Sequence, residues 1–197
     1  MHLTKLTDHA HRVHAFMLRA KQTTPTMPTL PDEKTRLLRA KLIMEEALET
    51  IEALGVTVVT DQTVDEMKLV YDIAADVSQS KTEDEQTTKL LAWVRKLAPM
   101  KAIDRKKLQF APTHAPDLIG IVDGCADVSV VTIGTLLACG VEDKPILELV
   151  DTNNLAKFGP GHSYREDGKL IKPPGHRPPD ITKALILQGL PPVPQPA

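Results

Sequence analysis

Read for polarity alone, the chain alternates amphipathic stretches with breaks rich in proline and glycine. His9 to Lys21 has helical spacing and gives way to Thr23 to Pro31, where prolines at 25, 28 and 31 cannot continue a helix. From Asp32 a second pattern places Leu37, Ala40, Met44, Ala47, Ile51 and Leu54 on one face. It predicts a helix with Asp32 as N-cap, Glu33 in the first turn and Gly55 just past the end. Val56 to Thr60 is enriched in β-branched residues, and Lys107 to Phe110 is its candidate partner strand. Between them, Thr63 to Ser80 and Glu83 to Leu97 read as one or two further helices. Leu118 to Gly140 is almost continuously apolar, and Asp143 is positioned to cap a fourth main helix that ends near Phe158, before Gly159-Pro160-Gly161. Nine of the 16 prolines lie from Pro160 onward, which predicts an extended, irregular tail over 159–197. The expected fold is all-α: a four-helix core in a single domain, 1–197, with an inserted helical segment at about 61–104 and a small two-stranded β element.

The apolar run 118–140 is long enough to cross a bilayer, but Asp123 and Asp127 sit inside it with Gly124, Ser129 and Gly134, and make lipid burial costly. It therefore reads as a buried helix of a soluble bundle. Composition supports one globular domain of 197 residues, 42% hydrophobic and 25% charged. Only 3% of residues are aromatic, so the core must be aliphatic. With 24 basic against 26 acidic side chains, the balance argues against a phosphate-backbone binder, and so few aromatics offer no stacking platform for single strands. Cys125 and Cys139 would be about 21 Å apart on one helix and cannot bridge each other, and no zinc spacing exists. Without a basic-then-apolar leader at Met1, the expected location is the cytoplasm.

The candidate chemistry begins at Glu45, Glu46 and Glu49. On a helix Glu45 and Glu49 fall within about 40° of each other, with Glu46 beside them, so three carboxylates crowd one flank. Such a run is most simply a solvated face opposite the apolar stripe. Leu38 and Leu42 lie upstream on the same flank, which points the acidic row inward instead. Asp123 and Asp127, four apart, share a face of the apolar helix, which contains no Lys or Arg. Buried there, they need a counter-charge: basic side chains from another helix, or a divalent cation. Five carboxylates from two helices suit Mg²⁺ or Mn²⁺, hard ions that can clamp a phosphate chain. Asn154 and Lys157, three apart on the fourth helix, project together, and a Lys beside such a site supplies charge for a polyphosphate. His9, His11 and His14 read mostly as surface residues, and Gln22 as a candidate base contact.

Together, Glu45-Glu46-x-x-Glu49, Asp123-Gly124-x-Ala126-Asp127 running on to Gly134-Thr135, and Asn154-x-x-Lys157 resemble the all-α nucleoside triphosphate pyrophosphohydrolases. That superfamily includes the MazG proteins and phosphoribosyl-ATP pyrophosphohydrolase. The entry Thr29-Leu30-Pro31-Asp32-Glu33, the run Asp167 to Lys172 and Pro178-Pro179-Asp180-Ile181 are similar to the phage and bacterial MazG-like branch. The resemblance covers roughly 10–55 and 117–182. It implies Mg²⁺-dependent hydrolysis of an NTP or dNTP to the monophosphate and pyrophosphate, by a four-helix core assembled as a homodimer. By the same resemblance Glu45, Glu46, Glu49 and Asp127 are metal ligands, with Asp123 an additional ligand or a water-orienting group; a glutamate of the cluster, Glu46 or Glu49, is the candidate catalytic base. By the resemblance Asn154 and Lys157 meet the phosphates; Lys172 and Gln22 are further candidate substrate contacts. Two departures stand out: Gly124 occupies the place of the Glu in the usual ExxD motif, and the link from Glu49 to Asp123 is unusually long. Rival readings are phosphoribosyl-ATP pyrophosphohydrolase itself and a non-catalytic helical dimerisation or regulatory module.

Overall fold

Helix α1 (Asp8–Arg19) starts where Thr7 accepts a hydrogen bond from the Ala10 amide, and it ends before Lys21, which adopts a left-handed φ of 57°. In the computed structural model, which describes residues 5–60, 71–97, 108–166 and 168–191, the remaining elements follow the expected order. Helix α2 (Glu33–Ala53) opens with the Asp32 carboxylate accepting from the Thr35 amide at 2.7 Å and closes at Gly55, whose φ is +77°. Strand β1 (Val56–Thr60) is followed by helix α3 (71–78), helix α4 (Glu83–Leu97) and strand β2 (Leu108–Pro112). Helix α5 (Leu118–Ala138) and helix α6 (Asp143–Leu155), extended by a 3₁₀ turn (Ala156–Phe158), complete the main helices. The tail departs from an irregular course, because Ser163–Tyr164 (β3) pairs with Leu170–Ile171 (β4) as a hairpin and Ile181–Leu187 forms helix α7, capped by Asp180. The parts of the expected elements at 63–70 and 98–107, with Asp167 and residues 192–197, lie outside the described residues.

The chain divides into two compact units, Met1–Thr50 with Val122–Ala197, and Ile51–Ile121. In the second, β1 and β2 pair antiparallel with Val56 opposite Pro112, and Thr57 and Thr113 hydroxyls meet at 2.6 Å. Gly55 is required there: a side chain would meet the His114 carbonyl at 2.4 Å, at a φ that suits glycine. Lys89 of α4 bridges to Asp76 at 3.2 Å.

The first unit holds the core. Leu6, Ala10, Val13 and Met17 from the N-terminal segment pack on Ile133, Leu137 and Ala138 of α5. Asp143, fully buried, accepts from the Thr7 amide at 3.0 Å and the Thr7 hydroxyl at 2.5 Å. Its carboxylate therefore serves α1, and the N-cap position of α6 falls to Glu142, with no side-chain cap bond. Of the three N-terminal histidines only His11 is exposed; His9 bonds Ser129 of α5 at 3.0 Å, and His14 bonds Thr24 at 2.9 Å.

Two expectations about burial are corrected. Only the second half of α5 is buried in the protomer, whereas Leu118, Ile119 and Val122 are 73%, 82% and 62% exposed. The stripe of α2 likewise faces outward at Leu37, Ala40 and Met44. Burial follows from which face meets a neighbour, and α2 turns a different row, Arg39, Glu46 and Thr50, toward α5.

Candidate active site

Helices α2 and α5 cross at a point fixed by two small contacts. A methyl group at Gly124 would lie 2.5 Å from Thr50 Oγ1 and 3.1 Å from Thr50 Cα, so only glycine lets the backbones approach this closely. The Thr50 hydroxyl donates to the Glu46 carbonyl one turn back at 2.7 Å, which turns it into its own helix. Further along, the guanidinium of Arg39 lies where a side chain at Gly134 would stand, 2.9 Å from that position. The pairings Thr50 with Gly124 and Arg39 with Gly134 run in opposite directions along the two helices, so the pair is antiparallel. Glu46 falls between them, opposite Asp127.

The five predicted acids therefore converge. The Glu46 carboxyl is held above the ordinary glutamate range, by partial desolvation first and then by the charges of Asp127, Glu49, Glu45 and Asp123. Glu46 is half-buried, and Glu45, Glu49, Asp123 and Asp127 are exposed. The premise that Asp123 and Asp127 are buried is thus corrected: water reaches both in the protomer, because the α5 segment that carries them has no cover. Among the described residues, none of the five carboxylates makes a salt bridge. The donor set, oxygen throughout and negative throughout, fits a hard divalent cation. Among the described residues no three His, Cys, Asp or Glu side chains are gathered closely enough to enclose one ion. Mutual repulsion favours rotamers that keep carboxylates apart, and a bound cation reverses that preference.

The other predicted residues lie elsewhere in the first unit. Lys157 donates to Asn154 Oδ1 at 2.5 Å, so the two do project together, but no described interaction links them to the acidic group. Asn153 ties α6 to the tail by donating to the Arg177 carbonyl at 2.7 Å. Lys172, just after β4, is exposed. Gln22 is half-buried, and its side-chain oxygen accepts from Arg39 Nη2 at 2.5 Å.

Arg39 is the residue that sequence reasoning missed. It is 7% exposed, its Nε has no hydrogen-bond partner, and no carboxylate pairs with it among the described residues. Burial pushes its pKa down, with Cys139 opposing, and the Cys139 thiol is pushed up by burial, with Arg39 opposing. The available signal was the seven-residue spacing from Arg39 to Glu46, which puts a cation on the inward face of an otherwise acidic row.

A sequence profile described as phosphoribosyl-ATP pyrophosphohydrolase matches residues 10–154, close to three quarters of the chain. That span contains α2, α5 and nearly all of α1 and α6, including the whole acidic group. A comparison with curated proteins returns no match.

Proposed function

Because the chain belongs to the phosphoribosyl-ATP pyrophosphohydrolase family, a family of hydrolases that act on phosphoric anhydrides, we propose that it hydrolyses a nucleoside triphosphate, (d)NTP, to (d)NMP and pyrophosphate. The observation that carries this reading is the convergence of Glu45, Glu46 and Glu49 of α2 with Asp123 and Asp127 of α5, with no basic side chain paired to them among the described residues. Those five residues would hold Mg²⁺ or Mn²⁺, which when bound supplies the charge that draws the phosphate chain in and makes a water more acidic.

The protein's own groups then have separate tasks. Glu46 or Glu49 accepts the proton of the water as it attacks, in line, the α-phosphorus. Asn154 and Lys157, with Lys172, neutralise and orient the outer phosphates, and pyrophosphate is the leaving group. Gln22 meets the base. Leu37, Met44 and Leu48, an exposed apolar row on α2, would be covered by a second copy of the chain, so the working form is a homodimer.

The test is release of pyrophosphate from a panel of NTPs and dNTPs with Mg²⁺ or Mn²⁺. Glu49→Gln and Asp127→Asn should each abolish it; activity that survives both would sink the reading. The family description supports a second substrate, phosphoribosyl-ATP, which belongs in the same panel. Complementation of a histidine auxotroph separates the two.

A further inference from the structure

The tail that follows α6 gathers rings that the hydrolytic chemistry does not use. Phe158 ends the 3₁₀ turn, and its ring meets His162 edge to face, with centroids 5.9 Å apart and planes at 66°. His162 in turn meets Tyr164 at 5.9 Å and 81°. In a chain with only three Phe, two Tyr and one Trp, Phe158 and Tyr164 are nonetheless 54% and 59% exposed, and His162 is exposed beside them. A single exposed ring is ordinary, but three in contact form a patch of the kind that meets a ligand. The patch is also held in place. The Gly159 carbonyl accepts from the His162 amide at 3.2 Å and from His162 Nδ1 at 3.1 Å, which fixes the imidazole on its own turn, and Tyr164 is paired in the hairpin opposite Leu170. Cations border it. Lys157 directly precedes Phe158, and the β3–β4 register continued by one residue sets Lys172 opposite His162, on the side to which His162 and Tyr164 both project. Neither lysine makes a salt bridge among the described residues. From 157 to 172 the chain carries Lys157, Arg165, Lys169 and Lys172 against only Glu166 and Asp167, in a protein whose net charge is −2.

We propose that Phe158, His162 and Tyr164 form a stacking platform for the base of a free nucleotide, with the base on Tyr164 and the phosphates running past His162 and Lys172 toward Lys157. A flat ring that carries anionic phosphates is the ligand that aromatic faces bordered by ammonium groups select. Three rings suffice for one base, though not for a strand of them. Because every base has a π-face, the platform accepts all four and favours purines for their larger face. The contact given to Gln22 concerns the polar edge of the base, which discriminates among bases as a stacking face does not. The ligand class rests on the proposed nucleotide pyrophosphohydrolase reading.

The experiment is an NMR titration of the full chain, in chelator so that no metal contributes, with AMP, GMP, UMP, CMP and ribose 5-phosphate, read on the ring protons of Tyr164 against those of Tyr71, the other tyrosine. The four nucleotides should shift the Tyr164 ring protons upfield and leave Tyr71 in place, with purines bound about threefold or more tightly than pyrimidines, and ribose 5-phosphate should leave both rings unmoved. Tyr164→Leu, which keeps apolar surface but no π-face, should weaken AMP binding about fivefold or more, read on His162, whereas Tyr164→Phe should stay within about twofold of wild type. Phe158→Leu serves if Tyr164→Leu does not fold. With Mg²⁺ and the four triphosphates, Tyr164→Leu should raise KM by a similar factor for every base and change kcat by less than about twofold. A Tyr164 ring that no nucleotide moves, or AMP binding that the folded leucine variants leave intact, overturns the proposal. So does a rise in mass with concentration that the same variants abolish, which would give the rings to a second copy of the chain. Stacking of nucleotides without pyrophosphate release from any triphosphate leaves the platform standing and removes the hydrolytic reading; hydrolysis whose KM the ring variants do not move does the reverse.

Discussion

Thr50 and Gly124 stand in backbone contact: the space that a side chain at 124 would need is filled by the hydroxyl and the Cα of Thr50. This contact explains the departure from the ExxD pattern, since a glutamate at 124 would point into α2 and force it away. With glycine there, Asp123 and Asp127 on either side of the crossing approach Glu46 and Glu49.

Gly124→Ala should therefore destabilise the protein. In a free helix the change gains about 0.5–1 kcal/mol from propensity. Here the added methyl would sit 2.5 Å from Thr50 Oγ1 and 3.1 Å from its Cα, and overpacking of this kind costs about 1–3 kcal/mol, so the clash wins. Urea denaturation should show a lower midpoint. Adding Thr50→Ala, which removes the hydroxyl but not the Cα, should recover only part of the loss.

The raised Glu46 carboxyl sets a pH dependence in chelator-treated protein. A group that holds its proton more tightly folded than unfolded makes stability fall as pH rises from the ordinary glutamate pKa through the raised value. Above that window Glu46→Gln should melt higher than wild type, and below it the two should converge. Asp127→Asn should narrow the gap, because Asp127 is the largest charge acting on Glu46. A Glu46→Gln melting profile parallel to wild type across the carboxylate range would contradict this account.

Mg²⁺ should raise the melting temperature of the wild-type chain. Saturation at 100 times the dissociation constant corresponds to about 2.7 kcal/mol for one ion. Asp127→Asn and Glu49→Gln should lose most of that gain while melting no lower than wild type in chelator, since each removes a repulsive charge. Differential scanning fluorimetry across a Mg²⁺ series reads both effects.

Asp143→Ala should be among the most damaging single changes. It empties a fully buried site and leaves the Thr7 amide and hydroxyl, both part-buried, without their acceptor, at a cost of about 2–3 kcal/mol. Thr7→Ala removes a helix cap as well as one of the two bonds, yet keeps the backbone bond to Asp143, and should cost less, about 1–2 kcal/mol. Equal denaturation midpoints for the two variants would show that the carboxylate does not carry the contact.

If a second copy covers α2, Met44→Lys and Leu37→Lys should each lower the mass found by sedimentation without lowering helicity. Both side chains are more than half exposed in the protomer, so neither change disturbs its own core.

Much of the fold was legible because its signals are local. Prolines at 25, 28 and 31, the cap Asp32 and the stop at Gly55 act within a turn of themselves, and the strand pair followed from β-branched residues beside them. The orientation of α2 was legible only in part: Leu38 and Leu42 pointed the acidic row inward, and Glu46 does face α5, but Glu45 and Glu49 are exposed. Its apolar stripe at Leu37 and Met44 is more regular than the row Arg39, Glu46 and Thr50, yet the latter meets α5, because Gly124 and Gly134 decide where a close approach can occur. Glu45, Glu46, Glu49, Asp123 and Asp127 could be singled out from spacing as a candidate group, while Arg39 could not: a lone arginine in a charged helix looks like any solvated one until its neighbours are known. Likewise Asp143 looked like an ordinary cap, and its bond to a threonine 136 residues earlier has no sequence signature.

That long-range bond also bears on how the protein is made. The apolar face of α1, Val13 and Met17 among it, finds its cover only on the second half of α5, and its cap is completed only by Asp143. At about 5–20 residues per second, a ribosome needs roughly 7–27 s to travel the 136 residues from Thr7 to Asp143. Helix α1 thus waits through that whole interval for its lock, and its greasy side is what a nascent-chain chaperone would meet meanwhile.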